Sequence, residues 1–99
     1  MLAIRRGRRR LKTLVVGYGS IGRRHVRNLQ AIGYGDIVVV DSEPQGRRQA
    51  LESGVTRVAE TLGDGLDDQP AVAFICTPPP LHVPQSLECL DAGCHLYIE

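Results

Sequence analysis

The chain has 99 residues, 42% of them hydrophobic, and a formal net charge of +1 at pH 7; it is long enough for one small domain with a packed core. No apolar run approaches the roughly 18 residues of a transmembrane helix, and with 4% aromatics and no Trp little is available to stack on nucleic-acid bases. Three cysteines without C-x-x-C spacing suit reduced thiols in a cytoplasmic protein, and neither a disulfide frame nor a metal site is expected.

The near-neutral charge conceals an asymmetry. Arg5, Arg6, Arg8, Arg9, Arg10 and Lys12 are six of the twelve basic residues, while the eleven acidic groups all lie further on. The basic character belongs to an arm, residues 1–11, and not to a face of the fold. Charge of this kind suits nucleic acid or an anionic membrane, but a solvated, disordered leader is the simpler expectation. A secretory or twin-arginine signal needs an apolar region of about 7–15 residues, whereas "LVV" runs straight into glycines.

From there short apolar runs alternate with helical segments. A buried-type strand is predicted over 13–17 and a helix over 20–32, with Ile21, His25, Leu29 and Ile32 near helical spacing. Gly33 closes that helix. "DIVVVD" (36–41) is a second strand ending on an acid, and Pro44 opens a helix running to about Ser53, with Gly54 as its stop. A short strand over 55–59 is followed by a weak helical or turn segment with two glycines. "AVAFICT" (71–77) is the fourth strand, broken off by Pro78, Pro79 and Pro80. A helix over 81–93 tolerates Pro84 only in its first turn, and "CHLYIE" (94–99) is a fifth strand, expected inside the sheet. Continuously apolar strands separated by helices predict an α/β fold, a doubly wound parallel sheet of Rossmann type.

The glycines Gly17, Gly19 and Gly22 form G-x-G-x-x-G between the first strand and helix, and Asp41 lies 19 residues after Gly22, at the next strand's end. Strand, helix and acid together are what a dinucleotide site requires. Gly17 permits the tight turn, Gly19 lets backbone approach a pyrophosphate, and Gly22 allows close helix–sheet packing. The helix N-terminus offers free N–H groups to phosphate, and Asp41 accepts from ribose hydroxyls. No G-K-[ST] follows, so a P-loop is excluded. A carboxylate at 41 repels a 2′-phosphate and favours NAD over NADP; Arg47 and Arg48, with Ser42, would bind such a phosphate only if the following loop folded back, and otherwise form a solvated helix face.

"VVGYGSIGRRHVRNL" together with "ICTPPPLHVPQSLECLDAGCHLYIE" resembles the N-terminal domain of the Gfo/Idh/MocA oxidoreductases (glucose-fructose oxidoreductase, inositol dehydrogenase and their kin) over about residues 12–99. The matching motifs are Cys76-Thr77-Pro78, then His82, then Ala92-Gly93-Cys94-His95-Leu96, and finally Glu99 in place of the glutamate of E-K-P. The resemblance implies NAD(P) binding in a Rossmann domain and hydride transfer at a CH–OH carbon, often of a sugar or cyclitol. It implies that Thr77 and Pro78 line the nicotinamide-side ribose with His82 nearby, and that Glu99 faces the nicotinamide. The prolines would stiffen that wall.

The chain departs from the pattern in carrying Pro79 where many relatives have Asn, and in stopping one residue before the expected lysine. Residues 12–99 are therefore expected to be a cofactor-binding fragment whose substrate domain is absent, with no catalytic residue of its own. The expected cofactor-binding residues are Gly17, Tyr18, Gly19, Ser20, Ile21, Gly22, Asp41, Ser42, Cys76, Thr77, Pro78, His82 and Glu99. His25 and His95 read as structural, Cys76 as a small buried residue, and His82 as either a cofactor contact or a cap. The expected partners are a nicotinamide dinucleotide and, with the missing domain, a polyol or sugar, in a homo-oligomeric parent. A stand-alone NAD(H)-sensing module is the alternative, and nucleic-acid binding through the arm a weaker one, recognisable by its salt dependence.

Overall fold

The computed structural model describes residues 11–99, so the basic arm over 1–11 lies, but for Leu11, outside the described residues. Five parallel strands form one sheet: β1 Thr13–Val16, β2 Ile37–Val40, β3 Arg57–Ala59, β4 Val72–Ile75 and β5 His95–Ile98, in the order β3-β2-β1-β4-β5. The α/β Rossmann-type architecture expected from the alternating runs is what the chain adopts.

Every residue of β1 and β2 is buried, as strands covered on both faces must be. Alternation sorts them into two cores. Leu14, Val16, Val38, Val40 and Ile75 meet Leu62 of helix α3 (Leu62–Leu66) and Cys89 of helix α4 (His82–Asp91). Val15, Ile37 and Val39 meet Val26 of helix α1 (Ser20–Ala31) and Ala50 of helix α2 (Pro44–Glu52). Helix α1 ends as Gly33 predicted: at φ +97° its N–H donates to the Gln30 carbonyl and that of Tyr34 to Leu29, the paired closure of a Schellman motif. Gly54 ends α2 in the same way.

Two elements differ from expectation, the start of β3 and the proline segment. β3 begins at Arg57; before it Thr56 is tied to the start of β2, its N–H donating to the Ile37 carbonyl and its hydroxyl donating to the Gly35 carbonyl and accepting from the Ile37 N–H. Of the two readings of the segment after it, helical or turn, the structure takes the helix: α3 is capped by Thr61 Oγ1 accepting from Asp64 N–H at 3.2 Å. The prolines do not simply break the chain: Pro79–Leu81 is a 3-10 turn leading directly into α4. Among the described residues β5 pairs with β4 alone, with Tyr97 51% and Ile98 50% exposed. Among the described residues no helix is long and apolar enough to cross a membrane.

Candidate functional site

The carboxyl ends of β2, β1, β4 and β5 open onto one crevice of about 700 Å³, the place where open α/β sheets bind ligands. Twelve of the thirteen residues expected at a cofactor line it: Gly17, Tyr18, Gly19, Ser20, Ile21, Asp41, Ser42, Cys76, Thr77, Pro78, His82 and Glu99. Gly22 does not. It is buried beneath the turn, and a Cβ there would fall on the carbonyl oxygen of Gly17.

The glycine turn is built from both sides. Gly17, at φ +97°, donates to the Val40 carbonyl at 2.7 Å, and a Cβ on it would meet Thr77 Cγ2 at 3.0 Å. Gly19 then stands in extended conformation as the N-cap of α1, making no side-chain cap bond, with nothing within 4 Å of where its Cβ would lie. The first turn of α1 carries no acidic residue, so its free N–H groups face the crevice uncompensated. Tyr18 contributes backbone, since its ring is buried in the core against α1 and α2.

Asp41 is fixed at this corner. Its Oδ2 accepts from the Tyr18 N–H at 2.9 Å and its Oδ1 from the Glu43 N–H at 2.8 Å. Arg47 Nη1 donates to the Asp41 carbonyl oxygen at 2.8 Å and is thereby committed, while Arg48 lies exposed and does not line the crevice. One residue here escaped the sequence reading. A Cβ on Gly46 would sit 2.8 Å from Asp41 Cγ, so the helix leaves room for the carboxylate. Gly46→Ala should therefore lower the thermal midpoint or leave it level, because the gain of about 1 kcal/mol for Ala over Gly in a helix is offset by loss of the Asp41 bonds to the Tyr18 and Glu43 N–H groups, about 1 kcal/mol or more each. It should at the same time weaken dinucleotide binding several-fold by displacing Asp41, which melting curves and calorimetric titration on one sample would separate.

Across the crevice, His82 Nε2 donates to the Thr77 carbonyl oxygen at 2.6 Å, and Thr77 Oγ1 donates to Gln85 Oε1. His82 thus braces the loop and lines the crevice at once. Gln85 was missed; its signal is the three-residue spacing from His82, which puts both on one side of α4. Cys76 is half-buried, and burial, then the Glu99 charge, push its thiol up to about 11 despite Arg24. It stays protonated near neutral pH and is no nucleophile.

Glu99 closes the far end. Its Oε2 lies 3.0 Å from His25 Nε2 and its Oε1 3.9 Å from Arg24 Nη2. The His25 ring packs against Phe74 and Tyr97, with centroids 5.0 and 5.6 Å away. His25 is packed and hydrogen-bonded as expected, but its partner lies 74 residues on in the sequence. His95, on the exposed start of β5, and Cys94, donating to the Pro70 carbonyl, stand apart from the crevice. Among the described residues no group of three or more His, Cys, Asp or Glu side chains could hold a metal ion.

Known proteins share this fold. A family model described as an oxidoreductase family with an NAD-binding Rossmann fold, GFO_IDH_MocA, matches residues 11–99. The 4-carboxy-2-hydroxymuconate-6-semialdehyde dehydrogenase of Sphingobium sp. is 30% identical over 93 residues, which are 90% of this chain and 29% of that protein. The WlbA dehydrogenase of Chromobacterium violaceum, solved with NADH and UDP-GlcNAcA, is 28% identical with a TM-score of 0.81, over 93% of this chain and 28% of that one. The apo scyllo-inositol dehydrogenase of Lactobacillus casei is 26% identical with a TM-score of 0.78, over 89% and 27%. The chain thus spans less than a third of the length of these relatives.

Proposed function

Because the chain belongs to the GFO_IDH_MocA oxidoreductase family and carries its NAD-binding Rossmann domain, we propose that the crevice at the strand ends takes NAD and serves hydride transfer at a CH–OH carbon of a sugar, cyclitol or related small molecule. The observation that carries this reading is the corner itself: open space over Gly19 next to a carboxylate already anchored to the Tyr18 N–H. The donors fit the group, since the pyrophosphate needs backbone N–H groups without a side chain in front of them, and a ribose needs an acceptor held still.

In this assignment Gly17, Gly19, Ser20 and Ile21 cradle the diphosphate, and Asp41 with Ser42 takes the adenosine ribose. Thr77, Pro78 and His82 wall the nicotinamide end, and Glu99 closes it. Bound there, the dinucleotide supplies the hydride acceptor or donor. The chain's own residues bind it, orient it and keep the β4 loop rigid, with the Thr77–His82 and Thr77–Gln85 bonds supporting that wall. The substrate would meet the cofactor against the portion that the relatives have and these 99 residues do not span, in a cytoplasmic homo-oligomer. NAD is favoured over NADP, because Asp41 repels a 2′-phosphate and Arg47 is already bound to the Asp41 carbonyl.

Calorimetric titration of the chain with NAD and NADP tests this. Asp41→Ala should weaken NAD about tenfold, through loss of hydrogen bonds to a charged acceptor, and narrow the gap to NADP. Failure of the unaltered chain to bind NAD at millimolar concentration would overturn the assignment, and an unchanged NAD/NADP ratio would remove Asp41 from the site.

A further inference from the structure

Resting on that cofactor assignment, we propose that Glu99, held in place by His25, makes the far end of the crevice select the oxidised over the reduced dinucleotide. Three carboxylates line the crevice: Asp41 just after β2, Glu60 just after β3 and Glu99 just after β5. In the order β2-β1-β4-β5 Asp41 and Glu99 stand three strand spacings apart, about 14 Å. A dinucleotide with its adenosine ribose on Asp41 and its diphosphate over Gly19 therefore reaches toward Glu99 with its other end. The nicotinamide ring there is cationic when oxidised and neutral when reduced, and the rest of the molecule is the same. A carboxylate at that end favours the cation.

Two groups touch that carboxylate: His25 Nε2 at 3.0 Å and Arg24 Nη2 at 3.9 Å, the arginine on a side chain 56% exposed, so solvent screens much of the arginine's effect. Cys76 stays neutral, its thiol pushed up to about 11. His25 supplies position. Its ring packs against the Phe74 and Tyr97 rings, its side chain is only 14% exposed, and its Nε2 meets Glu99 Oε2 at 3.0 Å. His25 is a positioning residue: it acts on the cofactor through Glu99.

The test is the ratio of NAD+ to NADH affinity, by calorimetry and by NADH fluorescence, in the unaltered chain, Glu99→Gln, His25→Leu and His25→Gln, with a thermal midpoint for each. Glu99→Gln should lower NAD+ affinity about fivefold, the scale of a partly exposed charge pair, and leave NADH within about twofold. His25→Leu should shift the ratio in the same direction. His25→Gln, whose amide nitrogen reaches close to the Nε2 position, should restore it. If Glu99→Gln weakens both forms equally, or neither, the inference falls while the cofactor site stands. If His25→Gln matches His25→Leu, the positioning role falls. A chain that binds neither dinucleotide overturns the cofactor assignment and this inference with it.

Discussion

Replacing Gly19 with valine is expected to cost the chain about a hundredfold or more in NAD affinity while leaving it folded. The backbone at Gly19, φ −80° and ψ −160°, is extended and open to a β-branched residue. Nothing lies within 4 Å of the Cβ position, so the side chain meets no protein atom and instead fills the space over the first turn of α1. There it holds the diphosphate off the helix N–H groups. Two lost hydrogen bonds to a charged group, at about 1.5–3 kcal/mol each, account for a loss of that size. A glycine needed only for turning would behave oppositely, with valine unfolding the chain before any ligand was added. Calorimetry beside a circular-dichroism melt separates the two, and unchanged affinity in a folded variant would remove the diphosphate from this corner.

That corner was legible because each of its parts follows from local chemistry. Apolar runs such as "IVVV" announce strands buried on both faces, and the glycine spacing with an acid 19 residues later marks the turn and its partner. What the sequence concealed depends on packing between distant segments. Helix α3 carries two glycines in five residues, which by propensity argues against a helix. Yet Gly65 is where the helix lies against Val40 and Leu14, and a Cβ would strike both side chains. The apparent weakness is what lets the helix reach the sheet. Gly46 is a second such case, its missing side chain making room for Asp41.

The meeting of His25 with Glu99 is hidden for a related reason. It depends on β4 and β5 following β1 in the sheet order, which no spacing along the chain reveals.

Gly22→Ala, a single added methyl three residues beyond Gly19, should fail in the other way. In an exposed helix that change would gain about 1 kcal/mol. Here the new Cβ would overlap the Gly17 carbonyl oxygen, lie 2.9 Å from its carbon and touch Val15 Cγ1 at 3.4 Å. Gly17 cannot yield, because its N–H is tied to Val40 at 2.7 Å and Thr77 and Cys76 crowd its other side. Helix α1 must therefore back away from β1, an overpacking cost of about 2–3 kcal/mol. For a domain of this size that lowers the melting midpoint by roughly 10 °C or more. The same displacement withdraws the helix N–H groups from the crevice, so NAD affinity should fall together with stability. Gly19→Val, by contrast, should move affinity alone. A Gly22→Ala chain melting within about 2 °C of the original would mean that α1 has slack against β1, and that the short helix-to-strand contact beneath the cradle does not set its shape.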